Sequence, residues 1–412
     1  MSRAAVDVTP LRAYPDFRRL WIGQAISFVG GEVTFVAMPF QVFELTHSTL
    51  ALGLFSLTQL VPLLTLTLVG GAIADAFDRR RLLLVTETAE AVAVGGLAVN
   101  AALPHPSVAA CFALATVATA CFSTGVGAMR ALTARLVPAE ELAAATAVNG
   151  VYYGLGGVAG PAVAGLLIKG VGLDWAYGLD SFSFVASVVA LYALPAMPPL
   201  GDVDRPSVRS ILDGFGFVRR QKVVLGFFVV DTTAMIFGMP LALFPALAVD
   251  RFGDPAAVGY LYAAPAAGAL AASLGSGWVS HVRRRGIAVV VAASAWGAAI
   301  AAFGFSTRLW LALLLVALAG GADQISAIFR STMMLTLTPD ELRGRLSGIE
   351  FMQVASAPSL GNLEAGVLAS LTSLRFSIVS GGLACIAGCL LCALAFPALI
   401  RYDSRAHEAA PA

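Results

Sequence analysis

Eight carboxylates stand where water should be scarce: Glu32, Glu87, Glu90, Asp180, Asp231, Asp323, Glu350 and Glu364 each fall inside a run of mainly apolar residues. No Lys or Arg is expected to lie among them. An ionised carboxylate without a partner is costly in a low-dielectric interior, so such groups tend to hold a proton and to release it when water enters. That is the chemistry of proton coupling. Glu32 lies 13 residues beyond Arg19 and Asp231 lies 12 beyond Arg219, which places both near the middle of their runs. These two, with Asp323, are the proton-coupling candidates. Glu87, Glu90 and Glu350 are expected instead to neutralise arginines of nearby loops.

The elements that must hold these acids are membrane helices. A chain of 412 residues that is 58% hydrophobic and 12% charged cannot be an ordinary soluble domain. Runs of about 20 apolar residues, enough to cross a hydrocarbon core of about 30 Å, fall near 20–43, 50–72, 82–103, 108–128, 143–168, 175–196, 223–249, 256–279, 287–306, 309–329, 346–371 and 375–397. Threading the chain through them puts 22 of the 26 Lys and Arg residues on one side and leaves Lys169, Arg251, Arg308 and Arg375 on the other. Because cytoplasmic loops keep the positive excess, both termini are expected inside a bacterial inner membrane. The arm MSRAAVDVTPLRAYPDFRRLW has no short apolar core ahead of a small-residue cleavage site, so the first span is expected to direct insertion.

The spans form two halves. Residues 1–197 and 223–412 each hold six, and 198–222, with Pro198, Pro199, Pro206 and five basic residues, reads as a cytoplasmic linker. The halves repeat: Arg130 and Arg330 each stand 12 residues before a leucine, in RALTARLVPAEEL and RSTMMLTLTPDEL, and both are read as loop residues. Phe17-Arg18-Arg19 echoes Phe217 with Arg219 and Arg220, and the MPF at Met38 echoes the MPL at Met239. Parallel repeats of this kind build transporters whose site lies between halves near the midplane. The fold expected is therefore an all-α membrane protein of twelve helices in two pseudo-symmetric bundles.

Three further patterns bear on function. The connection after the second span, GAIADAFDRRR, sets Gly71, Asp75, Arg79 and Arg80 on a tight turn. Glycine allows close approach, the acid can cap a helix N-terminus and the arginines can grip carboxylates or phosphates. Such a latch could gate one face; its counterpart GWVSHVRRR has His281 in place of the acid. In the fifth span, GLGGVAGPAVAG places Gly156, Gly160 and Gly165 around Pro161, a small-residue face with a bend. With no preceding strand, it is not a nucleotide loop. Aromatic residues Phe28, Phe35, Tyr152, Tyr153, Phe237 and Tyr262 could line an apolar cavity, with Phe28, Tyr152, Tyr153 and Phe237 the candidates for substrate contact.

Other chemistries find little support. His47, His105, His281 and His407 fall in loops or the tail without metal-ligand spacing, and the only lysines, Lys169 and Lys222, precede Gly and Val rather than completing a phosphate loop. The five cysteines, Cys111, Cys121, Cys385, Cys389 and Cys392, sit in apolar runs and read as packing residues. An enzyme, a metal site and an organic cofactor are not expected. A net charge of +1 leaves no basic face for nucleic acid. The partners expected are the lipid bilayer and an amphipathic small molecule, with the chain acting as a monomer.

FRRLW, LTHST, GAIADAFDRRR, GPAVAG, WAYGLD, LPAMPP, LFPALA, GYLYAA and TPDELRGRLSG together resemble the major facilitator superfamily almost end to end. Within it they resemble bacterial enterobactin-exporter-like and macrolide-efflux-like drug:proton antiporters. The resemblance implies that Gly71, Asp75, Arg79 and Arg80 form the superfamily's cytoplasmic gating motif, although Ala76 stands where a basic residue is usual. It implies that Gly156, Gly160, Pro161 and Gly165 form the motif typical of exporting antiporters. The fourth span has no basic residue before Arg130, so proton transfer would rest on the acids alone. The function implied is proton-coupled efflux of a siderophore-like or other amphipathic molecule. A multidrug or macrolide pump is the alternative, and a non-transporting sensor a third.

Overall fold

The computed structural model describes residues 7–198 and 215–404; within them, the side chains of residues 68, 69, 71, 72, 74, 75 and 341 are not described. The sequence-assigned linker lies mostly outside the described residues. All regular structure in the described residues is helical. Twelve helical segments have the length of a membrane span: α1 Pro15–Thr46, α2 Thr49–Ala76, α3 Arg79–Ala102, α4 Val108–Leu136, α5 Leu142–Gly170, α6 Leu173–Tyr192, α7 starting as Lys222–Phe237, α8 Ala257–Leu274, α9 Arg285–Phe305, α10 Leu309–Leu337, α11 Asp340–Leu371 and α12 Leu374–Ala395. Ten segments are also apolar enough to span by composition alone. The others, α6 and α11, fall short because α6 carries Asp174 and Asp180 and α11 carries Glu350, Glu364 and a charged first turn.

The helix ends follow local chemistry. Pro15 opens α1, where its missing N–H costs nothing, and His47 closes it in the left-handed region at φ 47°. Asp78 caps α3 by accepting from the Arg81 N–H at 3.0 Å, while Ser107 and Ser373 cap α4 and α12. Prolines inside α1, α2, α5, α8 and α11 each remove an internal hydrogen bond. At Gly238–Pro240 the seventh span breaks and resumes as short 3-10, α and π turns to Arg251. Asn362 on α11 accepts the Ala242 N–H at 2.9 Å there, meeting the need for a partner that broken backbone has inside a bilayer.

The chain divides into two compact units, and α2 and α8 each contribute residues to both. Unit 1 draws on Met1–His47, Thr58–Arg205 and Asp254–Ala263, and unit 2 on Ser48–Leu57, Pro206–Gly253 and Ala264–Ala412. Inside unit 1, α1 packs on α5 and α6 while α3 packs on α4 and α6; inside unit 2, α9 packs on α10 and α12 while α7 packs on α11 and α12. Polarity runs opposite to that of a soluble protein. Along α3, Val85, Val92 and Val99 are exposed at 67, 70 and 65%, whereas Glu87 and Asn100 are buried. An apolar exterior with acids and amides tucked inside the bundle is the arrangement a lipid solvent selects.

Candidate functional site

In unit 2 the acids are not without a cation. The span ending assigned near residue 329 is too short: α10 continues to Leu337 and carries Arg330 inside it, 6% exposed. One arm of its guanidinium lies 2.6 Å from Asp231 Oδ1 on α7, and the other lies 4.0 Å from Asp323 Oδ1 two turns earlier on α10. The side chain of Asp231 is 4% exposed and that of Asp323 is 34%. Arg330 also donates to the Ser326 hydroxyl at 2.9 Å. On the far side of Asp231, Gln353 Nε2 on α11 donates to Oδ2 at 2.9 Å and to the Phe228 carbonyl at 3.2 Å. Glu350, one turn before Gln353, lies within electrostatic range of Arg330. The expectation that no cation accompanies the spanning acids is therefore wrong for Asp231 and Asp323. Sequence reading missed Arg330 because a charged residue at the end of an apolar run looks like the start of a loop.

Unit 1 builds a different network. Glu87 on α3 is buried, and its two oxygens accept from Gln24 of α1 at 2.8 Å and from the Ser187 hydroxyl of α6; Gln24 also donates to Ser187 at 2.6 Å. Those hydrogen bonds tie three helices together. Glu87 was expected to neutralise loop arginines, and the geometry corrects that: it faces polar neutral groups inside the bundle. Asp180 on α6 is 1% exposed and accepts from Ser183 at 3.2 Å. The buried Tyr177 hydroxyl donates to Gln41 at 2.9 Å. Arg130, the repeat counterpart of Arg330, lies on α4 and is exposed.

Glu32, half-buried on α1, is positioned by the glycine run of α5. A β-carbon on Gly160 would collide with the Glu32 side-chain stem, and one on Gly156 would lie 2.6 Å from the Phe28 ring. Gly165 instead faces the first turns of α8, where a β-carbon would run into the Ala256 carbonyl and Gly259. The run thus presses α5 against α1 at two turns and against α8 at a third. Pro161 sits between these contacts, buried inside α5. Phe28 meets Tyr152 and Tyr153 edge-on at 5.7 and 4.9 Å between ring centroids, and Trp21 meets Tyr152 at 5.8 Å. Phe35 and Tyr262 form a separate pair at 5.5 Å. Phe237 is the last residue of the first segment of α7, in unit 2.

In the loop expected to act as a gate, Gly71 and Asp75 lie on the last turns of α2, where their side chains are outside the described residues. Arg80 donates to the Leu191 and Tyr192 carbonyls at 2.8 and 2.6 Å, capping the C-terminus of α6, and stacks over the Tyr192 ring at 5.4 Å. Arg79 is buried, and its backbone N–H reaches the Met197 carbonyl at 3.2 Å. Asp78 was missed: besides capping α3 it accepts the Met197 N–H at 2.9 Å, and Arg135 holds the Pro198 carbonyl at 2.7 Å. An Asp immediately before a helical run was the readable signal. The five cysteines are free, and among the described residues no group of three or more His, Cys, Asp or Glu is arranged to hold a metal ion.

Comparison with known proteins agrees with this architecture. Residues 5–411 match the transmembrane secretion effector family of the major facilitators. The chain is 31% identical over 387 residues to the enterobactin exporter EntS of Escherichia coli O81 (strain ED1a), covering 94% of this chain and 93% of that protein. The EntS protein of Citrobacter koseri is 30% identical over the same coverage. Among solved structures, a bacterial homologue of the lysosomal transporter Spinster superposes with a TM-score of 0.72 at 12% identity, covering 96% of this chain and 97% of the other. A bacterial homologue of the iron transporter ferroportin gives 0.70 at 15% identity over 94 and 99%. This chain belongs to the transmembrane secretion effector family of major facilitator transporters. It is a multi-pass membrane transporter with the major facilitator fold.

Proposed function

We propose that the chain is a bacterial inner-membrane exporter that moves a siderophore-like or other amphipathic small molecule outward in exchange for protons, by alternating access. The observation that carries the export reading is the similarity to an enterobactin exporter along 94% of the chain. Proton coupling is supported by carboxylates held within the bundles on several helices: buried Glu87 and Asp180 with half-buried Glu32 in unit 1, and buried Asp231 with half-buried Asp323 in unit 2. Glu32 and Asp231 are the groups whose protonation from outside and substrate capture from inside exclude one another. Both termini lie on the cytoplasmic side, the proton is the only coupling ion, and the monomer is the working unit. A multidrug or macrolide pump is the second reading, favoured by the Trp21, Phe28, Tyr152 and Tyr153 cluster, an aromatic surface without a fixed charge among its members.

The test is lumenal pH in proteoliposomes with an imposed gradient, recorded as a catecholate siderophore and, separately, an amphipathic dye are added. Proton movement with siderophore alone supports the first reading, and movement with dye supports the second. No movement with either, in folded protein, sinks proton-coupled export of both classes. Glu32→Gln and Asp231→Asn should each abolish gradient-driven transport; full transport in both would remove these residues from the coupling role.

A further inference from the structure

We propose that Arg330 is shared between Asp231 and Asp323 as a one-proton exchanger, pairing with one aspartate while the other carries the proton. This rests on the proton-coupled reading and deepens it. The charges lead to it. One guanidinium, which stays protonated in proteins, faces two carboxylates, so the ionised cluster carries one negative charge too many for a low-dielectric interior. One proton makes it neutral. Two neutral arrangements then exist, differing only in which aspartate Arg330 holds.

The geometry gives each atom a part. Arg330 Nη1 is at Asp231 Oδ1, 2.6 Å away, and Nη2 points to Asp323 Oδ1 at 4.0 Å. Closing the longer contact to the charge-assisted distance of about 2.8 Å needs a shift of only about 1.2 Å. Gln353 occupies Oδ2 of Asp231, so Oδ1 is the oxygen left to Arg330 or to a proton. In this arrangement Arg330 pairs with Asp231, which leaves Asp323, the more exposed carboxyl, as the one to carry the proton. When Arg330 swings, Asp323 gives its proton to the water that reaches it and Asp231 Oδ1 takes one from water; no other bond forms or breaks.

Glu350 on α11 and Cys389 on α12 face the cluster. On α9 the only charged side chain is Arg285 at its first residue, and the short helix Pro397–Arg401 ends in the exposed Arg401, followed by Tyr402. The device is confined to one half. At the repeat spacing of 200 residues, Asp231, Asp323 and Gln353 correspond to Gly31, Ser123 and Tyr153, and Arg130 is exposed.

The decisive measurement is the number of protons taken up by purified full-length protein in detergent as pH falls from 8 to 5, read with an indicator dye. Asp323→Asn and Asp231→Asn should each lower the count by one, because either change removes one of the two aspartates that contend for Arg330, while Glu350 is present in every variant and cancels in the comparison. Arg330→Gln should raise it by one. If Asp231→Asn keeps the wild-type count while Asp323→Asn loses a proton, Arg330 does not move between them and the sharing is refuted. Should Asp231→Asn fail to fold, Arg330→Gln still decides: an unchanged count overturns the proposal. Gradient-driven transport by wild type separates the two levels. Loss of the counted proton in both variants without any wild-type coupling would leave the exchanger standing and refute the proton-coupled reading.

Discussion

Replacing Arg330 with Met removes the cation and leaves Asp231 buried between Gln353 and an apolar side chain. At an effective dielectric of about 20, opposite unit charges 2.6 Å apart attract by about 6 kcal/mol, and at 4.0 Å by about 4 kcal/mol. Desolvating the ions consumes several kcal/mol each, so the intact pair contributes little net stability. Removing one partner is another matter: the stranded carboxylate costs about 3–5 kcal/mol. Arg330→Met alone should therefore destabilise the protein by that amount, whereas Asp231→Asn/Arg330→Met should recover most of it, because the amide keeps the Gln353 contact and carries no charge. The assay is reversible unfolding in mixed detergent micelles, completed as a double-mutant cycle with Asp231→Asn. If Arg330→Met lies within about 1 kcal/mol of wild type, or the double variant is no better than the single, the buried pair does not hold unit 2 as described.

Two perturbations probe the other elements. Gly160→Val drives a β-branched side chain into the stem of Glu32 and should cost about 1–3 kcal/mol from overpacking while impairing transport; wild-type melting and flux would mean that α5 and α1 are not in close contact there. Asp78→Ala removes both the α3 cap and the acceptor of the Met197 N–H, and should cost about 1–2 kcal/mol with faster proteolysis after α6. Unchanged cleavage would show that the segment following α6 is held by other contacts.

Much of the fold was legible because its causes are local. A run of apolar residues reports its own cost of exposure to water wherever it sits, so all twelve spans could be marked, with ends off by up to eight residues where α4 and α10 run on past their apolar stretch. The glycine run of α5 was readable as a close-packing face, but its three glycines were not readable as serving two different helices, since spacing says nothing about what lies opposite. Asp78 and Asp75 look alike in the sequence, two acids ahead of the same arginines, and only the Arg81 and Met197 N–H groups brought to Asp78 in space set it apart. Glu87 was assigned to the loop arginines because distance along the chain stood in for distance in space; α1 and α6 instead bring Gln24 and Ser187 to it.

The repeat shows the same division. By sequence, Arg130 and Arg330 are one position in two copies, with equal claims to be loop residues. The tertiary structure separates them: Arg330 is drawn inside because α7 presents an aspartate at its level, while Arg130 has Gly31 at the corresponding place and stays at the surface. Sequence by itself determined that this is a polytopic helical membrane protein with two related halves, because hydropathy and charge are additive properties of short segments. Which acids stand alone and which share a cation was decided only by the packing of α7, α10 and α11, because the energy of a charge depends on what lies within a few ångströms of it.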